Sequence, residues 1–169
     1  MTAMPTDLPE LAAATVRELK EAGLTLATAE SCTGGLIAAT ITGVPGASAV
    51  LRYGWVTYCN LAKQEQLGVP GEVIAAHSVV SEPVVKAMAE GALQRAGADI
   101  AVAVSGNAGP TAAEGEPPVG TVCLGIALRG AVSHTETIFR EGLERNDFRT
   151  MVVREALMRV RSLAQRILR

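Results

Sequence analysis

Residues 100–104 read IAVAV, an unbroken apolar run between Asp99 and Ser105, with β-branched side chains at three of five positions. The run is too short for a helix and leaves no polar position to face water. It therefore reads as a central strand buried on both faces. Such a strand needs covering helices above and below it, so the flanking sequence must supply alternating strands and helices.

It does. Leu8, Ala12, Val16 and Leu19 recur at helical spacing, with Asp7 as cap, Pro9 in the first turn and Gly23 as the stop. A strand over 24–29, a helix of small apolar residues over 33–42 and a turn at GVPGAS (43–48) follow. Next come a strand over 49–58, one or two helical turns over 60–66 ended by GVPG, and a longer helix. Ser81 caps that helix, Pro83 lies in its first turn, and Val85, Met88, Ala92 and Ala96 form its stripe. A loop rich in Gly, Pro and Ala spans 105–118. Strands over 119–128 and 131–139 then meet at Arg129 and Gly130, a connection short enough for an antiparallel hairpin. Val153, Leu157, Val160, Ala164 and Ile167 form one stripe of a long final helix. The predicted fold is α/β, a three-layer α/β/α sandwich with a mixed sheet, as a single domain over 1–169.

Aromatics make up only 3% of the 169 residues, so Ala, Val, Leu and Ile must build the core. Small residues there allow helices to lie close on the sheet. A net charge of −2 gives no field for nucleic acid or membrane. From Arg140 onward, eight arginines face four acidic residues, which reads as a solvated helix face with some arginines available to an anion. Three cysteines without CxxC spacing argue against a disulfide framework or a zinc site. No apolar run is long enough to span a bilayer, and a reducing cytoplasm is the default location. Neither GxxxxGK[ST] nor GxGxxG occurs, which speaks against Walker and Rossmann nucleotide sites.

The chemistry concentrates in TAESCTGG, 28–35. A strand running through a Gly-containing turn into a helix puts Ser31 near free backbone N–H groups of Thr33, Gly34 and Gly35, which suit a phosphate or an oxyanion. The same pattern also reads as a plain helix cap, and Cys32 as a buried spacer. A serine nucleophile needs a base. His77 and His134 lack a nearby carboxylate to orient them, and Lys20 and Lys86 fall on exposed helix faces. Lys63, in TYCNLAK (57–63), sits at a strand's C-terminal end as Ser31 does, where open α/β sheets form their crevice. Tyr58 adds a hydroxyl there. As a base, Lys63 must be desolvated enough to be neutral.

Taken together, TAESCTGG, GWVTYCNLAK, AVSGNAGP with PVGTV, and FREGLERNDFR resemble the CinA C-terminal domain family over nearly the whole chain. Many members carry a further N-terminal domain resembling molybdopterin-binding proteins; this chain is too short for it and resembles the stand-alone form. The resemblance implies nicotinamide-mononucleotide deamidase activity without metal or organic cofactor. It assigns Ser31 as nucleophile, Lys63 as general base and Tyr58 as proton relay or orienter. Ser105, Gly106 and Gly109 read either as substrate contacts through a hydroxyl and backbone N–H groups or as a plain turn. Arg145 and Arg149 match the family's acidic–Arg…Arg motif, and their i, i+4 spacing suits an anion, or pairing with Glu144 or Glu141, or with another subunit. The expected partner is a small nucleotide substrate, with no nucleic acid or membrane, and the Ala-rich helices suit a homo-oligomer. The chain departs from the family pattern at TAAEGE (111–116), where a glycine run is usual, and at Cys59 and Asn107. Those departures suit a second reading, a catalytically weak nucleotide-binding member with a regulatory or partner-binding role. A role in competence or DNA damage rests on the family's historical name alone.

Overall fold

The computed structural model describes residues 7–168. The Asp7 side chain accepts a hydrogen bond from the Glu10 N–H at 2.8 Å and so starts α1 (Leu8–Glu21). Then come β1 (Leu26–Glu30), α2 (Leu36–Thr42), a 3-10 turn (Ala47–Ala49), β2 (Leu51–Val56), α3 (Asn60–Leu67) and α4 (Gly71–His77). The chain continues through α5 (Glu82–Ala96), β3 (Ile100–Gly106), β4 (Thr121–Leu128), β5 (His134–Phe139) and α6 (Arg145–Ile167). The strands form one sheet in the order β2-β1-β3-β4-β5. β1 runs parallel to β2 and β3, while β4 is antiparallel to β3 and β5. The sheet is mixed, and β3 is its middle strand.

Strand alternation divides the core in two. Leu26, Ile100, Val102, Val104, Val122, Leu124 and Ile126 pack against α1, α2 and α6. Ala27, Ala29, Ala101, Ala103, Cys123 and Ala127 meet α5 and the residues around α3 and α4. The second face is lined by small side chains, so α5 lies almost on the backbone of the sheet. A Cβ added at Gly125 would come within 2.5 Å of the Val85 carbonyl oxygen. The low aromatic content and the close helix–sheet packing are one fact.

Several boundaries differ from expectation. α2 begins at Leu36 rather than 33, because 31–35 form a separate turn. A seven-residue helix, α4, follows Pro70 and is too short to show a period; His77 is its last residue. The β4–β5 connection is longer than Arg129 and Gly130, since pairing resumes only at His134. Arg129 instead folds back onto the Gly97 and Ala98 carbonyls. Ile167 is exposed, so the buried stripe of α6 ends at Ala164. No helix among the described residues is long and apolar enough to cross a membrane.

The arginines of α6 are not simply a solvated face. Arg161 is buried and donates to both Glu18 oxygens on α1, at 2.7 and 2.8 Å, and Gln165 adds a third bond to Glu18 at 3.1 Å. Arg159 pairs with Glu136 and Glu155; Arg169 lies outside the described residues. Removing one partner of a buried pair strands the other charge. Glu18→Ala is therefore expected to cost about 3–5 kcal/mol in urea unfolding, while Glu18→Leu with Arg161→Met together restores wild-type stability or exceeds it.

Candidate active site

β1 ends where the chemistry begins. The Ser31 N–H donates to the Val104 carbonyl at 3.1 Å, and the Thr57 N–H donates to the Glu30 carbonyl at 2.8 Å. The strand alternation thus carries on past Glu30, and three successive residues face opposite ways. Glu30 turns toward α2, Ser31 toward α3, and Cys32 into the core shared by α1, α2 and α6. This parity separates the adjacent Ser and Cys. Burial pushes the Cys32 thiol up to about 12, with Glu30 adding to the rise, so at neutral pH it stays protonated.

Lys63 reaches Ser31 from the far side of the sheet. It lies one turn into α3 on the same inward stripe as Leu67, and no part of it is exposed. Its Nζ is 3.0 Å from Ser31 Oγ and 2.7 Å from the Thr57 carbonyl oxygen. No carboxylate hydrogen-bonds or ion-pairs with it among the described residues. Burial brings its pKa down from 10.5 to about 8, and Cys59 and Cys32 pull partly back. Protonated, the amine donates to both oxygens; once neutral, it can keep one N–H on Thr57 and turn its lone pair to the Ser31 hydroxyl. That is the arrangement of a base on a nucleophile.

The turn at 31–35 needs its glycines: Gly34 and Gly35 have φ of 60° and 98°, where side chains are disfavoured. Ser31 does not stand at a helix N-terminus, as the sequence suggests. The first-turn amides of α2 are taken by the buried Glu30 carboxylate, which accepts from Ile37 N–H and Ala38 N–H, both at 2.9 Å, and from Thr33 Oγ1 at 2.6 Å. Of the three amides predicted to hold an anion, that of Gly34 is directed at the Ser31 carbonyl, 3.0 Å away. Those of Thr33 and Gly35 have no hydrogen bond within the described residues. Sequence reasoning assigned nothing to Glu30. The signal was there: a carboxylate closing an apolar strand, LATAE, with donors seven and eight residues on.

The other predicted residues lie around this centre. Tyr58 is 61% exposed, and its hydroxyl accepts from Arg145 at 3.1 Å rather than bonding to Ser31 or Lys63. Arg145 also donates to the Gly109 carbonyl. Arg149 is spent internally, on the Cys32 and Thr33 carbonyls at 3.2 and 2.8 Å and on Asn146 at 3.2 Å. Ser105 is buried and donates to the Val79 carbonyl at 2.9 Å. At Gly106 a Cβ would sit 2.8 Å from the Thr121 carbonyl, so close packing explains that glycine. His134 begins the far edge strand, and His77 is exposed at the end of α4.

A cavity of about 820 Å³ opens beside Asn60, three residues ahead of Lys63, within the range of small-molecule sites. Val79, Glu114 and Glu116 are among its walls. Glu116 accepts from Ser78 Oγ at 3.0 Å and from the Val79 and Val80 N–H groups at 3.4 Å, which ties the 111–116 loop down.

Comparison with known proteins covers most of the chain. Relatives include a CinA-like protein of Akkermansia muciniphila, 58% identical over 85% of this chain, and a putative competence-damage inducible protein of Symbiobacterium thermophilum, 54% identical over 86%. The chain spans about a third of the length of these curated relatives, 34% and 36%. The crystal structure of the competence/damage inducible protein CihA from Agrobacterium tumefaciens superposes with a TM-score of 0.90 at 40% identity, covering 96% of this chain and 99% of that one. Residues 8–164 match the CinA C-terminal domain, and with these relatives the chain belongs to that family.

Proposed function

We propose that this protein is an amidohydrolase that converts nicotinamide mononucleotide to nicotinate mononucleotide and ammonia, in pyridine-nucleotide recycling. The observation that carries the reading is the fully buried Lys63 amine, 3.0 Å from Ser31 Oγ. A buried lysine without a carboxylate partner is costly, and such perturbed groups concentrate at functional sites. Three free cysteines and the absence of a membrane-crossing helix among the described residues suit the cytoplasm.

The proposed reaction has two halves. Lys63 takes the Ser31 proton as Oγ attacks the carboxamide carbon, and the Thr33 and Gly35 N–H groups stabilise the oxyanion. One such donor contributes on the order of 3 kcal/mol to the transition state. Protonated Lys63 returns the proton to the amide nitrogen, which leaves as ammonia, and an ester remains on Ser31. Water, deprotonated by Lys63, then attacks the ester and frees the carboxylate. Arg145, exposed at the start of α6, is the proposed partner of the substrate phosphate. The cavity wall at 114–116 carries two carboxylates and would repel that group. Tyr58 orients Arg145 in this reading, while Ser105, Gly106 and Gly109 shape the floor of the site.

The first test is ammonia release from nicotinamide mononucleotide. Release is expected from the wild type and is lost in Ser31→Ala and Lys63→Ala, both still folded. Binding without release would favour the catalytically weak, regulatory reading, to which the divergent 111–116 loop points. Because the base is the neutral amine, kcat/KM should climb as pH rises and level off above an apparent pKa of about 8. An inflection near 6, in the histidine range, would remove Lys63 from the role.

The same shift predicts a stability signature. Between pH 8 and 10.5 the unfolded lysine still holds a proton that the folded one has released. Wild-type stability relative to Lys63→Met should therefore increase with pH across that window, by at most on the order of 3 kcal/mol, and stay level below it. Urea unfolding of both proteins at pH 7 and pH 10 measures it.

A further inference from the structure

Arg145 and Arg149 occupy one face of α6 a single turn apart, and the sequence pairs them as anion ligands. Their surroundings differ. Arg145 is exposed and, among the described residues, donates to the Gly109 carbonyl and the Tyr58 hydroxyl. Arg149 is half-buried, and every arm of its guanidinium already has a protein partner. Nε and one terminal nitrogen take the carbonyls of Cys32 and Thr33, the two residues that follow the nucleophile.

Those carbonyls belong to a turn that would otherwise be loose. Gly34 and Gly35 both sit at positive φ, a region glycine leaves as readily as it enters. On the opposite side, the Glu30 carboxylate holds Thr33 Oγ1 and the Ile37 and Ala38 N–H groups. The turn is gripped from two directions: Glu30 holds its side chain and the helix beyond, and Arg149 holds its backbone. With both in place, the Ser31 N–H stays on Val104 and its Oγ stays on Lys63.

We propose that Arg149 is a positioning residue that holds Ser31 against Lys63 through the Cys32 and Thr33 carbonyls, with Glu30 as the opposing jaw, and is not a ligand of the substrate. The inference rests on the amidase reading for its substrate, but not for its geometry. A lysine at 149 keeps the charge but cannot span two consecutive carbonyls as a planar fork does.

The test compares wild type, Arg149→Gln, Arg149→Lys and Arg145→Gln on nicotinamide mononucleotide and on nicotinamide riboside, which lacks the phosphate. It also measures the rate at which a fluorophosphonate labels Ser31, a reaction in which Oγ displaces fluoride and no nucleotide takes part. A nucleophile displaced by about 1 Å loses on the order of 100-fold in rate. Arg149→Gln is expected to lose that much kcat on both substrates in the same proportion, with KM little changed, and to lose labelling in parallel. Arg149→Lys should show the same pattern, and it decides the matter if Arg149→Gln does not fold. Arg145→Gln should instead raise KM for the mononucleotide alone. A rise in KM for the mononucleotide only, with labelling unchanged in the Arg149 variants, would overturn the proposal. So would a wild type whose Ser31 is not labelled. If the wild type is labelled yet releases no ammonia, the substrate reading fails, and the labelling rates alone judge the positioning role.

Discussion

A lysine amine buried without a carboxylate to pair with loses its hydration and gains little in return, so its protonated form is penalised. At Lys63 the remaining support is one backbone carbonyl, that of Thr57, and one hydroxyl, that of Ser31. Everything around the site follows from keeping that amine dry and in place. α3 must enter against the sheet on the face with small side chains, because only there does backbone lie close enough for a lysine stem to be covered completely. β1 must stop one residue short of Ser31, so that the serine continues the ladder to Val104 but is free to turn toward α3. Stability is given up at this point, and it is recovered elsewhere, in the two-sided core around β3.

The division of the sheet into a large-residue face and a small-residue face does more than pack helices. It assigns directions to Glu30, Ser31 and Cys32, three reactive side chains in a row. One caps a helix, one meets the buried lysine and one is sealed as a neutral thiol. A single-residue slip in the register of β1 would exchange these roles. The proposed catalytic chemistry is in this sense a property of the strand's alternation, as much as of the residues themselves.

Much of this was legible beforehand. Asp7, Ser81 and Gly23 marked helix ends through local hydrogen bonding and backbone freedom, and the apolar run at 100–104 announced a middle strand because nothing in it could face water. Ser31 and Lys63 were legible as candidates from residue type and position after strands, and family resemblance sharpened both. α4 was not legible, since seven residues give too little period. The true start of α2 was hidden too, because Glu30, seven residues before the amides it caps, lies outside any local capping pattern. The partners of Arg149 were hidden as well, because i, i+4 spacing reports that two arginines share a face, not what each one touches.

The sequence alone thus determined the alternation of strands and helices, the layer order and the residue types available for chemistry. These depend on local periodicity and on which side chains can bear burial. Only the tertiary structure decided that Lys63 and Ser31, 32 residues apart in the chain, stand 3.0 Å from each other. It also decided that burial lowers the lysine's pKa and that Arg149 turns inward while Arg145 faces out. Those outcomes depend on desolvation and on contacts between distant segments, and neither is written in any local stretch of residues.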